Sequence, residues 1–199
     1  MKVGGIVLCG GHSRRMGKSK AWLACGREHL LHRVVRIVAD SVGPVVVAAR
    51  PDQELPPLPD GASVAYDAVE NGGPLAGIAA GLDKLAGKCQ AAFVTSCDHP
   101  LLKRAFIIRL VELLDRHRAV VPMHDGRWYP LSAVYRLDTR SVLDDMLSGP
   151  DLRAREFARR CAPRLATEAD LRPADPELDS LRNVNDPADY QRVIQVLEG

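Results

Sequence analysis

The chain has 199 residues, 46% of them hydrophobic and 26% charged, with a formal net charge of +2. That length buries one sizeable core and is short for two domains. So small a net charge argues against a nucleic-acid footprint, and no apolar run approaches the ~20 residues that span a bilayer.

In chain order, residues 5–9 form a short continuous apolar run, as expected of a strand buried on both faces. The N-terminal segment MKVGGIVLCGG is too short in its apolar part for a signal-peptide core and passes straight into His12 and two arginines. Residues 30–42 carry Leu31, Val34, Val35 and Val38 on one helical stripe. Residues 45–49 read as a second buried strand, the proline-rich stretch 51–61 as a loop, and 63–66 as a weak third strand. A helix is expected over 75–85 despite its glycines, then a strand over 91–96. Residues 103–117 give the clearest helix, with Phe106, Ile107, Leu110, Val111, Leu113 and Leu114 on one face. Strands over 119–122 and 131–135 and short helices over 137–147 and 152–160 follow. The arginines of 153–160 read as a solvated helix face. The last helix, 187–197, starts with Asp186 as N-cap and Pro187 at its first position.

Alternating strands and helices predict an α/β fold, a three-layer α/β/α sandwich with a mainly parallel, Rossmann-like sheet, one domain over residues 1–199. Ligands gather at the carboxyl ends of such strands. There stand Leu8, Cys9, Gly10 and Gly11 after the first strand, Asp67 after the third, and Cys97 and Asp98 after the fourth. Cys9, Cys25, Cys89, Cys97 and Cys161 are odd in number and never spaced as CxxC. This argues against a disulfide framework or structural zinc and fits a reducing cytoplasm. Cys9 and Cys97 are expected as small core residues.

The stretch LCGGHSRRMGKSK, residues 8–20, looks made for phosphates. Gly17-Lys18-Ser19 suggests a P-loop, but the first glycine of G-x-x-x-x-G-K-[ST] would fall on His12. Gly11 is one residue too early to close the concavity of backbone N–H groups. No G-x-G-x-x-G is present. The glycine pair instead lets the backbone approach a ligand closely, and Arg14, Arg15, Lys18 and Lys20 supply charge for a triphosphate.

The order L-x-G-G-x-x-x-R-M-G-x-x-K resembles the loop of nucleotidyltransferases with a nucleotide-diphospho-sugar-transferase-like fold. Within them the chain resembles the molybdenum cofactor guanylyltransferase family. Gly73-Pro74-Leu75-Ala76-Gly77 resembles its GPLAG segment, Cys97-Asp98-His99-Pro100 its C-D-x-P, and Asn183-Val184-Asn185-Asp186-Pro187 its N-x-N-x-P.

The resemblance implies transfer of GMP from GTP to molybdopterin with release of diphosphate. It implies that Leu8, Cys9, Gly10 and Gly11 hold the nucleotide through their backbone, Lys20 a phosphate, and Asp67 the guanine or ribose. Arg15 would neutralise the leaving diphosphate, Asp98 would hold Mg²⁺, and Asn183 and Asn185 would meet the molybdopterin unless they cap the last helix. Gly10-Gly11 favours GTP, since relatives using CTP commonly have Ala-Gly there. Transient contacts with molybdenum-insertion and molybdoenzyme-maturation proteins are implied, and neither nucleic acid nor membrane. His12, Trp128 and Tyr129 are weaker candidates for the same cleft, more ordinary as a surface residue and packing residues. The family's asparagine after the second strand is missing; Ala48-Ala49-Arg50 stands there. The alternatives are a cytidylyltransferase or related enzyme with another acceptor, and a nucleotide-binding regulatory module without chemistry.

Overall fold

The continuous apolar runs form the centre of a sheet. In the computed structural model, which describes residues 1–10, 19–67, 69 and 72–198, the first strand β1 is Val3–Leu8 and is buried throughout. The short strands β2 (Ala24–Cys25) and β3 (Glu28–His29) pair as a hairpin, after a 3₁₀ turn at Lys20–Trp22. Helix α1 (Leu30–Ala39) buries Leu30, Leu31, Val34, Val35 and Val38. It ends before Val42, where the sequence placed its end. Strands β4 (Val45–Ala49) and β5 (Ala62–Tyr66) flank the proline-rich loop. Helix α2 (Gly73–Leu85), strand β6 (Ala91–Ser96) and helix α3 (Arg104–Leu114) follow.

The second half holds β7 (Ala119–His124), β8 (Arg127–Trp128), β9 (Ala133–Arg136), α4 (Arg140–Leu147), α5 (Ala154–Arg160), β10 (Arg164–Ala166), α6 (Glu168–Leu171) and α7 (Pro187–Glu198). At α7, Asp186 caps as expected: its Oδ1 accepts from the Asp189 N–H at 2.8 Å. Neither β10 nor α6 was expected.

The strand order is β10-β7-β9-β6-β1-β4-β5, with β8 paired to β7. The β6-β1-β4-β5 half is parallel throughout. β9 runs antiparallel to β6 and β7, so the sheet is mixed while most main strands still share one direction. Alternation sorts side chains to two faces. Val7, Val45, Val47 and Phe93 meet α1, α3 and α6 on one side. Ile6, Leu8, Val46 and Tyr135 meet α2, α4 and α5 on the other. The two spaces between the three layers are thus each filled by a separate core.

Two glycines explain how closely the layers approach. A Cβ on Gly5 would stand 2.2 Å from Val38 Cγ1 of α1, and one on Gly81 would stand 2.7 Å from Ile6 Cδ1 of β1. The glycines of α2 lower its intrinsic propensity, but Gly81 is what lets the helix lie on β1.

Candidate active site

The carboxyl ends of β1, β4, β5 and β6 lie along one edge of the sheet, which fixes where the candidate residues go. β5 and β6 are three strand spacings apart, about 14 Å. Asp67 stands at one end of this row and Asp98 at the other, a span suited to an extended nucleoside triphosphate.

At the β6 end, Lys20 Nζ lies 2.8 Å from Asp98 Oδ2, and these side chains are 18% and 14% exposed. His99 Nδ1 lies 3.3 Å from Asp98 Oδ1 without the alignment of a hydrogen bond. Burial pushes the Asp98 carboxyl up, but the adjoining His99 and the Lys20 ammonium outweigh it and hold the group well below the usual carboxylate range. The outcome is an ionised oxygen ligand in a sheltered position.

At the β5 end, Asp67 is half-buried, and its N–H donates to the Ala49 carbonyl at 3.1 Å. Burial raises its carboxyl from the ordinary value, against the partial opposition of Arg50. Asp67 Oδ2 is 3.6 Å from where a Cβ on Gly10 would stand.

Between them, the end of β1 is held on both sides. Cys97 N–H donates to the Leu8 carbonyl and Cys9 N–H to the Ala48 carbonyl. Gln53 Nε2 donates to the Cys9 carbonyl at 2.7 Å, and Arg50 Nη1 to the Gly10 carbonyl at 3.2 Å. The Leu8, Cys9 and Gly10 carbonyls thus each accept from a protein donor, which fixes the direction in which they point. Gly11, His12, Arg14, Arg15 and Lys18 lie outside the described residues.

The N-x-N segment reaches the same place from the C-terminal side. Val184 N–H donates to the Asp98 carbonyl at 2.9 Å. Val184 is fully buried with Leu101 and Val193 in a small third core. Asn183 and Asn185 exchange reciprocal amide hydrogen bonds at 3.2 and 3.1 Å. The helix cap is Asp186 rather than either asparagine, which leaves the amide pair without a capping duty.

A latch behind Asp98 holds this arrangement. Asp175 is fully buried; it accepts from Lys103 Nζ at 2.7 Å and from the Ser180 N–H at 2.8 Å. Lys103 Nζ also reaches Asp179 Oδ2 at 2.9 Å, while its N–H donates to Ser180 Oγ at 3.0 Å. Sequence reasoning missed Gln53, His99 and this latch; only His99, inside the C-D-x-P motif, carried a signal.

Trp128 and Tyr129 are packing residues first. Trp128 leans on the α2-side core with the Arg155 guanidinium 5.6 Å from its ring centroid; Tyr129 leans on the other core with Arg127 at 5.4 Å. Among the described residues, His124, Asp125 and Glu168 are close enough to share a cation. Glu168 is already paired with His124 at 2.6 Å and Arg172 at 2.8 Å, so the cluster is closed by its own ion pairs.

A parallel half-sheet whose carboxyl edge carries a glycine-paired loop, a lysine and a sheltered carboxylate defines a nucleotidyltransferase. Residues 5–165 match the MobA-like NTP transferase domain, and the chain belongs to that family. A probable molybdenum cofactor guanylyltransferase of Mycobacterium avium (strain 104) is 36% identical, covering 98% of this chain and 96% of the relative. Another, of Pelotomaculum thermopropionicum, is 32% identical over 93% and 88%. The fold is shared with molybdopterin-guanine dinucleotide biosynthesis protein A of Archaeoglobus fulgidus (TM-score 0.82, 23% identity, 100% and 99% covered). It is also shared with 2-C-methyl-D-erythritol 4-phosphate cytidylyltransferase of Thermus thermophilus (TM-score 0.72, 18% identity, 100% of each chain). Among the described residues, no helix is long and apolar enough to cross a membrane.

Proposed function

We propose that the chain, acting as one nucleotidyltransferase domain over residues 1–199, transfers GMP from GTP to the terminal phosphate of molybdopterin in the cytoplasm. The observation that carries this reading is the Lys20–Asp98 pair at the sheet edge, with the N-x-N backbone docked on Asp98. It supports a site in which the nucleotide is held on the Asp98 side chain and the acceptor on the segment that rests on the Asp98 backbone.

A molybdopterin phosphate oxygen attacks the α-phosphorus of GTP, the bond from that phosphorus to the bridging oxygen breaks, and diphosphate leaves. The nucleophile is already an anion, so no general base is required. Lys20 draws the phosphates to the β6 end, and Asp67 fixes the nucleoside at the β5 end. Asn183 and Asn185 offer amide donors and acceptors to the pterin, and Arg15 neutralises the leaving diphosphate. Positioning and charge complementarity then supply most of the rate. Asp98 fits Mg²⁺ as a hard oxygen ligand kept ionised, since this ion is commonly held by one or two carboxylates plus substrate phosphates and water. When bound, Mg²⁺ offsets negative charge on the phosphates during in-line transfer.

The test is diphosphate release with molybdopterin and, in parallel, GTP, CTP, ATP or UTP. GTP is expected to be fastest. Asp98→Ala is expected to lose at least about 100-fold in kcat, on the scale of removing one electrostatic stabiliser, while its thermal unfolding stays cooperative. Faster release from CTP would overturn the choice of base, full activity of Asp98→Ala the metal assignment, and tight GTP binding without diphosphate the chemistry itself.

A further inference from the structure

The loop after β4 grips both ends of the nucleotide loop. Gln53 Nε2 donates to the Cys9 carbonyl and Arg50 Nη1 to the Gly10 carbonyl. Further along, the Glu54 carbonyl accepts from Trp22 Nε1 at 3.2 Å, just past Lys20. The Gln53 side chain is oriented by its own turn. Its N–H donates to the Arg50 carbonyl at 3.1 Å, and its Oε1 accepts from the Arg50 N–H at 3.4 Å. A carbonyl partner at Cys9 requires the amide nitrogen on that side, so the two ends of the amide have distinct duties.

We propose that Gln53, seconded by Arg50, sets the base preference of the enzyme by holding the Cys9 and Gly10 carbonyls turned toward the loop after β4. This rests on the reading of the site as a GTP site.

In a trans peptide the C=O and N–H point in opposite directions. With the Cys9 carbonyl turned onto Gln53, the Gly10 N–H faces away from it and meets no acceptor among the described residues. The loop end therefore presents a donor. Close by, the Asp67 carboxylate presents an acceptor.

Guanine carries an acceptor, O6, beside the N1–H and N2 amino donors, and so complements a donor next to a carboxylate. Adenine and cytosine carry an exocyclic amino donor where guanine has O6. They would need a loop carbonyl as acceptor, and the Cys9 and Gly10 carbonyls are turned onto Gln53 and Arg50 instead. Base choice in this chain then depends on a side chain that itself contacts protein rather than base, which makes Gln53 a positioning residue.

The experiment measures kcat/KM for diphosphate release from GTP, ITP, ATP and CTP, with displacement of a fluorescent guanosine triphosphate analogue as a binding assay independent of acceptor. The enzymes are wild type, Gln53→Ala, Gln53→Glu and Arg50→Ala. ITP keeps O6 and is expected to group with GTP. Gln53→Ala frees the Cys9 carbonyl and is expected to narrow the GTP:ATP and GTP:CTP ratios by about 10-fold, the effect of roughly one hydrogen bond. The KM for molybdopterin and the thermal midpoint are expected to stay put. Gln53→Glu, which cannot donate to a carbonyl, is expected to behave as Gln53→Ala, and Arg50→Ala to shift the ratios in the same direction. Unchanged ratios in both Gln53 variants would overturn the proposal. A wild type that displaces the analogue with GTP but releases no diphosphate would instead refute the transferase reading. The displacement ratios would then still decide the role of Gln53.

Discussion

Lys103→Met removes the ammonium from the latch behind Asp98 and keeps the alkyl stem. The ammonium makes charge-assisted contacts of 2.7 Å to Asp175 and 2.9 Å to Asp179. Hydrogen bonds to charged groups are worth about 1.5–3 kcal/mol, and more is lost when a buried acceptor is left short of donors. The Lys103 side chain is 40% exposed, which screens its charge, while Asp175 is fully buried and would keep the Ser180 N–H. A net loss of about 2–3 kcal/mol follows. For a chain of this size that lowers Tm by roughly 5–10 °C.

The same change loosens residues 175–184, so the KM for molybdopterin is expected to rise by about 10-fold, the equivalent of about 1.4 kcal/mol, with the KM for GTP unchanged. The pH dependence has a fixed sign. Burial raises the Asp175 carboxyl, but Lys103 and Ser180 outweigh it, and the folded value lies below the ordinary one. Its contribution is complete above the usual carboxylate range and is lost as pH falls through the depressed value. The Tm gap between wild type and Lys103→Met should thus shrink on acidification. Circular dichroism melts between pH 7 and pH 3, with steady-state kinetics at neutral pH, check all three. A Tm within about 1 °C of wild type, or a GTP KM that moves with the acceptor KM, would refute the reasoning.

Gly81→Ala gains about 1 kcal/mol of helix propensity but drives a Cβ to within 2.7–2.8 Å of the fully buried Ile6. Overpacking costs about 1–3 kcal/mol, so the melt should show a neutral to destabilised protein, and a raised Tm would count against tight α2–β1 contact. All five cysteines are free and buried. Burial pushes the Cys161 thiol up to about 12, so iodoacetamide at pH 8 should leave it unlabelled in the native protein and alkylate it after denaturation, read by peptide mass spectrometry.

The strands at Val45–Ala49 and Ala91–Ser96 were legible to the residue because the first is a continuous apolar run and the second opens on one, Ala91 to Val94. Arg164–Ala166 was not, since its strand character comes from pairing with β7 and not from its own sequence. The hairpin of β2 and β3 is made of two-residue strands, too short for any period to show. Helix α3 stops at Leu114, where Asp115 takes a positive φ of 34°, although the apolar and charged pattern runs on to His117.

In the site, Lys20 and Asp98 could be picked out because motif order carries them. Gln53 could not: it is one polar residue in a proline-rich loop. Its role arises only when the β1–β4 pairing brings it against Cys9, 44 positions away. Asp175 likewise belongs to no motif, and its duty appears only when the fold buries it against Lys103.

The family match ends at residue 165, yet the backbone that rests on Asp98 belongs to Val184. On the proposed reading, the stretch that handles the nucleotide and the stretch that handles the acceptor follow one another in the chain and meet at the backbone of Asp98. Such a layout is modular. Exchange of the tail alone is expected to redirect the enzyme to another phosphorylated acceptor while its choice of nucleotide stays as it was.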